Sequence, residues 1–137
     1  MAEAYANAAV RHWSDAEFCN KDHRLPNADQ LYGFAAECAL KVVLVQIPNC
    51  LDGGVLQRRY KEHVDELWEL IPLQGIERIA AGLVPLLRMQ TKPFADWSID
   101  QRYESGEAIK SDVVTRHRDA ARRALGAVGL LGERRGT

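Results

Sequence analysis

Arg58-Arg-Tyr-Lys-Glu-His63 sets an arginine and a histidine with four residues between them. That spacing is found in one class of metal-independent ribonucleases, in which the arginine meets a phosphate and the histidine moves a proton. Charged residues also gather where a loop enters a helix, so the pair has a second reading. On one continuous helix, five steps of 100° would set Arg58 and His63 about 140° apart around the axis. They would then converge on a phosphate only through a loop geometry or a partner chain. The structural reading is that His63 starts a short helix burying Leu67 and Trp68, with Arg58, Arg59 and Lys61 solvated.

Three other groups of residues carry chemistry. Glu37 and Lys41 lie four apart in the most apolar stretch, in the order that favours an ion pair. A charge there needs a partner, so the pair faces a cleft, anchors a polar network, or marks one solvated edge of the helix. Phe94 to Glu107 joins Trp97 and Tyr103, which can stack on a ring, to Arg102, which can grip a phosphate or carboxylate. Against this, Phe94 and Trp97 can plug the end of a helical bundle, and Arg102 can pair with Asp96, Asp100, Glu104 or Glu107. His117 falls in step with Ile109, Val113 and Ala121, as a core or interface histidine would. Arg116, Arg118, Arg122 and Arg123 make its helix locally basic, interleaved with Asp112 and Asp119.

The chain has no HExxH, no Walker glycine loop and no paired-cysteine metal motif, so no metal and no cofactor is expected. His63-x-x-Glu66 supplies only two ligands. Eighteen basic residues against nineteen acidic ones leave a formal charge of −1, which excludes a whole-protein field for nucleic acid. Three cysteines without a CxxC suit free thiols in a reducing cytoplasm. With no basic leader before an apolar core and no apolar run of spanning length, the chain is expected to be cytoplasmic, with no membrane partner.

The elements that must position these residues are helical. Ala4, Tyr5, Ala8, Ala9, Trp13, Ala16 and Cys19 predict a first amphipathic helix over about residues 3 to 22. After Pro26, Asn27 suits an N-cap, and Leu31 through Val45 predict a central helix over about 28 to 46. Pro48, Asn49, Asp52, Gly53 and Gly54 predict a turn-rich loop. Val64 to Ile71 predict a short helix stopped by Pro72, and Ile76 to Leu87 another that Pro85 must kink or break. Residues 91 to 107 predict a long loop, and Ala108 to Leu131 a last helix. No stretch alternates convincingly at period two. The fold class is therefore all-α, an antiparallel bundle of four to five helices in one domain over residues 1–131, with 132–137 as a frayed tail.

Leu31-Tyr-Gly-Phe-Ala-Ala-Glu-Cys-Ala-Leu-Lys41, then His63-Val-Asp-Glu-Leu67, then Arg102-Tyr103 before an alanine-rich final helix, resembles the HEPN superfamily of small helical domains. The resemblance spans about residues 4 to 131. It implies a four- or five-helix bundle, often a homodimer, in many cases encoded beside a nucleotidyltransferase or within a toxin–antitoxin or defence system. Catalytic members carry Arg-x4-6-His near the start of the last long helix, and two copies meet across the dimer. Here Arg102 and Tyr103 match, but Glu107, Ala108 and Ile109 stand where the histidine belongs. The resemblance therefore implies a non-catalytic module binding a nucleotide, RNA or a partner protein, with Glu37, Lys41, Trp97, Arg102, Tyr103 and Glu107 as ligand-binding residues. The alternatives are a metal-independent endoribonuclease using Arg58 and His63, and a structural dimerisation subunit. The cysteines read as small core residues.

Overall fold

The computed structural model describes residues 4–103 and 109–131, the side chains of Arg102 and Tyr103 excepted. It is mostly helical, with six α-helices and one two-stranded hairpin among the described residues.

Helix α1, Tyr5–Lys21, buries Ala9 and Ala16 fully. Side chains this small let a neighbouring helix approach closely. After the cap residue Asp22 comes His23, whose φ of 58° lies in the left-handed region, while the Arg24 amide reaches back to the Cys19 carbonyl at 2.8 Å. That is the closing pattern of a helix C-terminus, here made without glycine. The turn is so tight that α2 begins at Leu25.

Helix α2, Leu25–Leu44, is buried along nearly its whole length and packs against both α1 and the last helix, α6, Ser111–Ala127. The expected start after an Asn27 cap is corrected. Arg24 occupies the cap position without a side-chain bond, and Pro26 sits within the first turn, where its missing N–H costs nothing. Helix α6 is shorter at both ends than its sequence pattern suggests, and it closes with Gly129 at φ 78° and a Leu130 amide bonded to the Leu125 carbonyl.

Between α2 and α6 run short elements. Leu51–Asp52 (β1) pairs antiparallel with Val55–Leu56 (β2), Leu51 opposite Leu56. The two glycines joining them have φ of 61° and 84°, as a two-residue hairpin turn requires. The turn-rich loop expected here contains this turn, and the strands beside it, two residues each, are too short to show a period. Helix α3, Val64–Leu70, buries Val64, Leu67 and Trp68 and stops before Pro72. The single helix expected over 76 to 87 is two, α4 (Leu73–Ile79) and α5 (Leu83–Leu87). The break falls at Ala80–Gly82, not at Pro85, which sits in the first turn of α5, where no helical partner awaits its amide.

Residues 93–101 of the expected long loop are strapped down. Phe94 and Trp97 are both about 1% exposed, so they plug the bundle, and a 3-10 turn, Ile99–Tyr103, follows them. Glu107 and the tail 132–137 lie outside the described residues. No helix among the described residues is long and apolar enough to cross a membrane.

Candidate functional site

Gly33, Phe34, Glu37 and Lys41 recur at helical spacing and share one side of α2. Glu37 and Lys41 are buried, which removes the reading of a solvated edge. Lys41 Nζ donates to Glu37 Oε2 at 2.9 Å, and His63 Nδ1 lies 3.1 Å from Glu37 Oε1. One carboxylate thus serves two groups with its two oxygens. A carboxylate only accepts, so His63 donates through Nδ1, and Nε2 is turned away from Glu37.

His63 can take this position because it is the residue before α3. Its carbonyl accepts the Glu66 and Leu67 amides at 3.1 and 2.8 Å, which starts the helix and leaves the imidazole outside it. The side chain is 47% exposed, and Nε2 has no hydrogen bond to any described residue. Arg58 stands in a separate 3-10 turn, Arg58–Tyr60, so it and His63 do not share a helix. Arg58, Arg59 and Lys61 are exposed, as the structural reading expects, and Arg59 also lies over the Tyr60 ring.

Rings surround the imidazole. Phe34 lies 5.9 Å from His63 and 5.7 Å from Trp97, which it meets edge-on. His12 of α1 lies 5.5 Å from Phe34 on the other side. Burial lowers the His12 pKa, and the neighbouring Arg11 guanidinium lowers it further. The partly exposed His12, Phe34 and His63 therefore form a small aromatic surface above the Glu37–Lys41 pair. An imidazole held at Nδ1 by a carboxylate can pass a proton at Nε2, and with both nitrogens protonated it can donate there to an anionic group.

The expectation that Trp97 stacks on a ligand is corrected. Its ring is buried, and a Cβ at Gly33 would overlap the indole. Trp97 Nε1 donates to the Asp29 carbonyl at 2.9 Å. The residue supports Phe34 and His63 from beneath.

Asp29 is the residue that sequence reasoning missed. It is fully buried in the first turns of α2, and its carboxylate accepts from His117 Nδ1 at 2.6 Å and Gln101 Nε2 at 2.7 Å. His117 Nε2 faces Asp96 Oδ1 at 2.9 Å, and Arg116 grips Asp96 with two bonds of 2.9 and 3.0 Å. Both nitrogens of this core histidine thus donate to carboxylates, while Phe94 stacks on its face at 5.1 Å. Gln30 Nε2 holds the Ser98 carbonyl at 2.7 Å. These bonds pin the segment 93–101 to α2 and α6 and fix where the backbone of Arg102 and Tyr103 begins.

Two further expectations resolve here. Asp96 is committed to Arg116 and His117, and the basic stretch of α6 is largely paired internally: Arg118 with Glu17 at 2.6 Å, Arg122 and Arg123 with Asp119 at 3.4 and 4.0 Å. Burial and the Glu37 charge push the Cys38 thiol up to about 11, so it stays protonated at neutral pH as a core residue. Among the described residues no three His, Cys, Asp or Glu side chains converge as metal ligands.

Comparison of the chain with protein-family models, with curated proteins and with solved structures finds no match.

Proposed function

We propose that this chain is a non-catalytic, HEPN-like binding module that engages a nucleotide or an RNA end at the surface formed by His63, Phe34 and His12 above Glu37 and Lys41. The observation that supports this reading is the buried Glu37 carboxylate shared between Lys41 and a half-exposed His63. A buried ion pair is a costly way to stabilise a helix, and apolar residues of similar size commonly do it better. Here the pair has a second effect, which is to hold an imidazole in one orientation beside an aromatic surface. The ligand's phosphate would meet His63 when the imidazole carries both protons, Nδ1–H on Glu37 and Nε2–H on the phosphate, and its base would lie against the exposed rings. Arg102, Tyr103 and Glu107 enter the proposal from the sequence motif, the first two on a turn whose preceding residues are tied to α2. A homodimer, or a nucleotidyltransferase-like partner protein, is the assembly this reading suggests.

Titration calorimetry with adenosine monophosphate and with a short single-stranded RNA tests it. Saturable binding to either that weakens in His63→Ala is expected, and heat of binding absent for both would overturn it.

The second reading is a metal-independent ribonuclease. It is favoured by one observation: an imidazole held at Nδ1 by a carboxylate, with Nε2 presented outward, is arranged for proton transfer. Incubation with mixed RNA in EDTA decides between the two. Cleavage lost in both Arg58→Ala and His63→Ala would establish the enzyme, and intact RNA with retained binding would establish the module.

A further inference from the structure

Away from the His63 surface, a cavity of about 550 Å³ opens between the end of α2 and helix α4. Its size is that of a small-ligand pocket. Ile47, Pro48, Pro72 and Gly75 make an apolar wall, and the two prolines stiffen it. Helix α4 can lie this close only because residue 75 lacks a side chain: a Cβ there would come within 2.8 Å of Ile47 Cδ1. The buried Tyr60 phenol and Cys50 thiol meet at the floor.

Three polar side chains rim this space. Asn49, Gln74 and Arg78 come from the 3-10 turn Pro48–Cys50 and from α4, and none of their side chains bonds to or pairs with another described residue. The nearby cation Arg59 lies over the Tyr60 ring, whereas Arg78 has no acidic partner among the described residues. A second cavity, of about 470 Å³, shares Ile47, Pro48, Gly75 and Arg78 with the first, so Arg78 stands between two open volumes.

We propose that this cavity binds a small carboxylic acid with an apolar body, its carboxylate on Arg78 and its body against Pro48, Pro72 and Ile47. The guanidinium fork matches a carboxylate in two parallel bonds, and the Asn49 and Gln74 amides supply further donors to its oxygens. A phosphate is the weaker fit. It carries more charge to compensate, and the site offers one cation and an apolar wall where a phosphate needs several donors. Tyr60 contributes area rather than charge, because burial and then the adjoining Cys50 raise its pKa.

The test is amide and side-chain NMR of the intact chain titrated with benzoate, phenyl phosphate and benzyl alcohol. Benzoate is expected to shift the Gly75 and Arg78 amides and the Asn49 and Gln74 side-chain NH2 signals saturably. Arg78→Gln is expected to weaken it by about tenfold or more, the worth of a charge-assisted bond. Gln74→Trp, a substitution at an exposed rim position, is expected to fill the mouth and abolish binding with the melting temperature unchanged. Absence of saturable shifts overturns the proposal, as does benzyl alcohol matching benzoate with Arg78→Gln neutral. Tighter binding of phenyl phosphate overturns the carboxylate assignment, and undiminished binding in Gln74→Trp shows that the acid sits elsewhere.

Discussion

Trp97 lies against the bare backbone of Gly33, 64 positions earlier in the chain, and its indole nitrogen bonds the Asp29 carbonyl one helical turn away at 2.9 Å. The absence of one methyl group at Gly33 is what allows the strap 93–101 to close on α2. Gly33→Ala is therefore expected to destabilise the fold by about 1–3 kcal/mol, the usual cost of overpacking, even though alanine is the better helix former. Urea denaturation measures the loss, and a shifted tryptophan emission maximum would locate it at the strap. A gain in stability would mean that the indole has room to move aside.

Removing one partner of the Glu37–Lys41 pair leaves a buried charge alone. Glu37→Leu is expected to cost about 3–5 kcal/mol, and the double variant Glu37→Leu with Lys41→Met to recover much of it. His63 should gain mobility in both variants, visible as line broadening of its ring protons. If the double variant is no more stable than the single one, Lys41 is being served by a group other than Glu37.

His117→Leu removes the group that joins Asp29 to Asp96 and leaves the Asp29 carboxylate buried with Gln101 as its remaining side-chain partner. The strap should then open more often. Faster hydrogen exchange at Trp97 Nε1, with exchange in the first half of α1 unchanged, is the expected result. Uniformly faster exchange would show that the histidine holds the whole bundle instead.

Stability should fall on acidification in two steps. His12 has its pKa lowered from 6.5 by burial and then by Arg11, so its neutral form is favoured in the folded state. Its contribution is full above about pH 6.5 and is lost as pH falls through the lower folded value. Asp96 is held at about 2, well under the usual 3.8, by the Arg116 bond, which outweighs burial. Its contribution is full above about pH 4 and is lost towards pH 2. Proton NMR should place the His12 midpoint below 6.5, and Arg116→Ala should flatten the lower step. A His12 midpoint above 6.5 would reverse the first sign.

The helical class and the central place of α2 were legible because apolar residues recur on almost every side of that segment, which only a surrounded helix tolerates. Glu37 and Lys41 were legible for the same reason, as charges where charge is expensive. His63 was visible as a residue type, but its partner Glu37 stands 26 positions earlier, and no local pattern links them. His117 was legible as a core histidine from its place on the apolar stripe, and it is fully buried. Asp29 was harder still: it looks ordinary within its own helix, and its role exists only where α2, α6 and the strap meet. The hairpin at Leu51–Leu56 escaped because two-residue strands carry no period, although its Gly53-Gly54 pair was a turn signal. For Trp97 the sequence leaves stacking on a ligand and plugging the bundle both open, because a segment without period looks like a loop and burial there depends on one glycine across the fold.

Asp29 joins parts of the chain 68, 72 and 88 residues apart through Trp97, Gln101 and His117. Contacts of such separation form late, since the loop they close must first lose its freedom. During synthesis, α1 and α2 can pair as soon as they emerge, while the Asp29 carboxylate waits near the start of an apolar helix for residues made much later. Until α6 arrives, that carboxylate lacks its His117 partner, and burying it would be costly. The same aspartate that locks the finished fold is thus satisfied only when the last helix is in place.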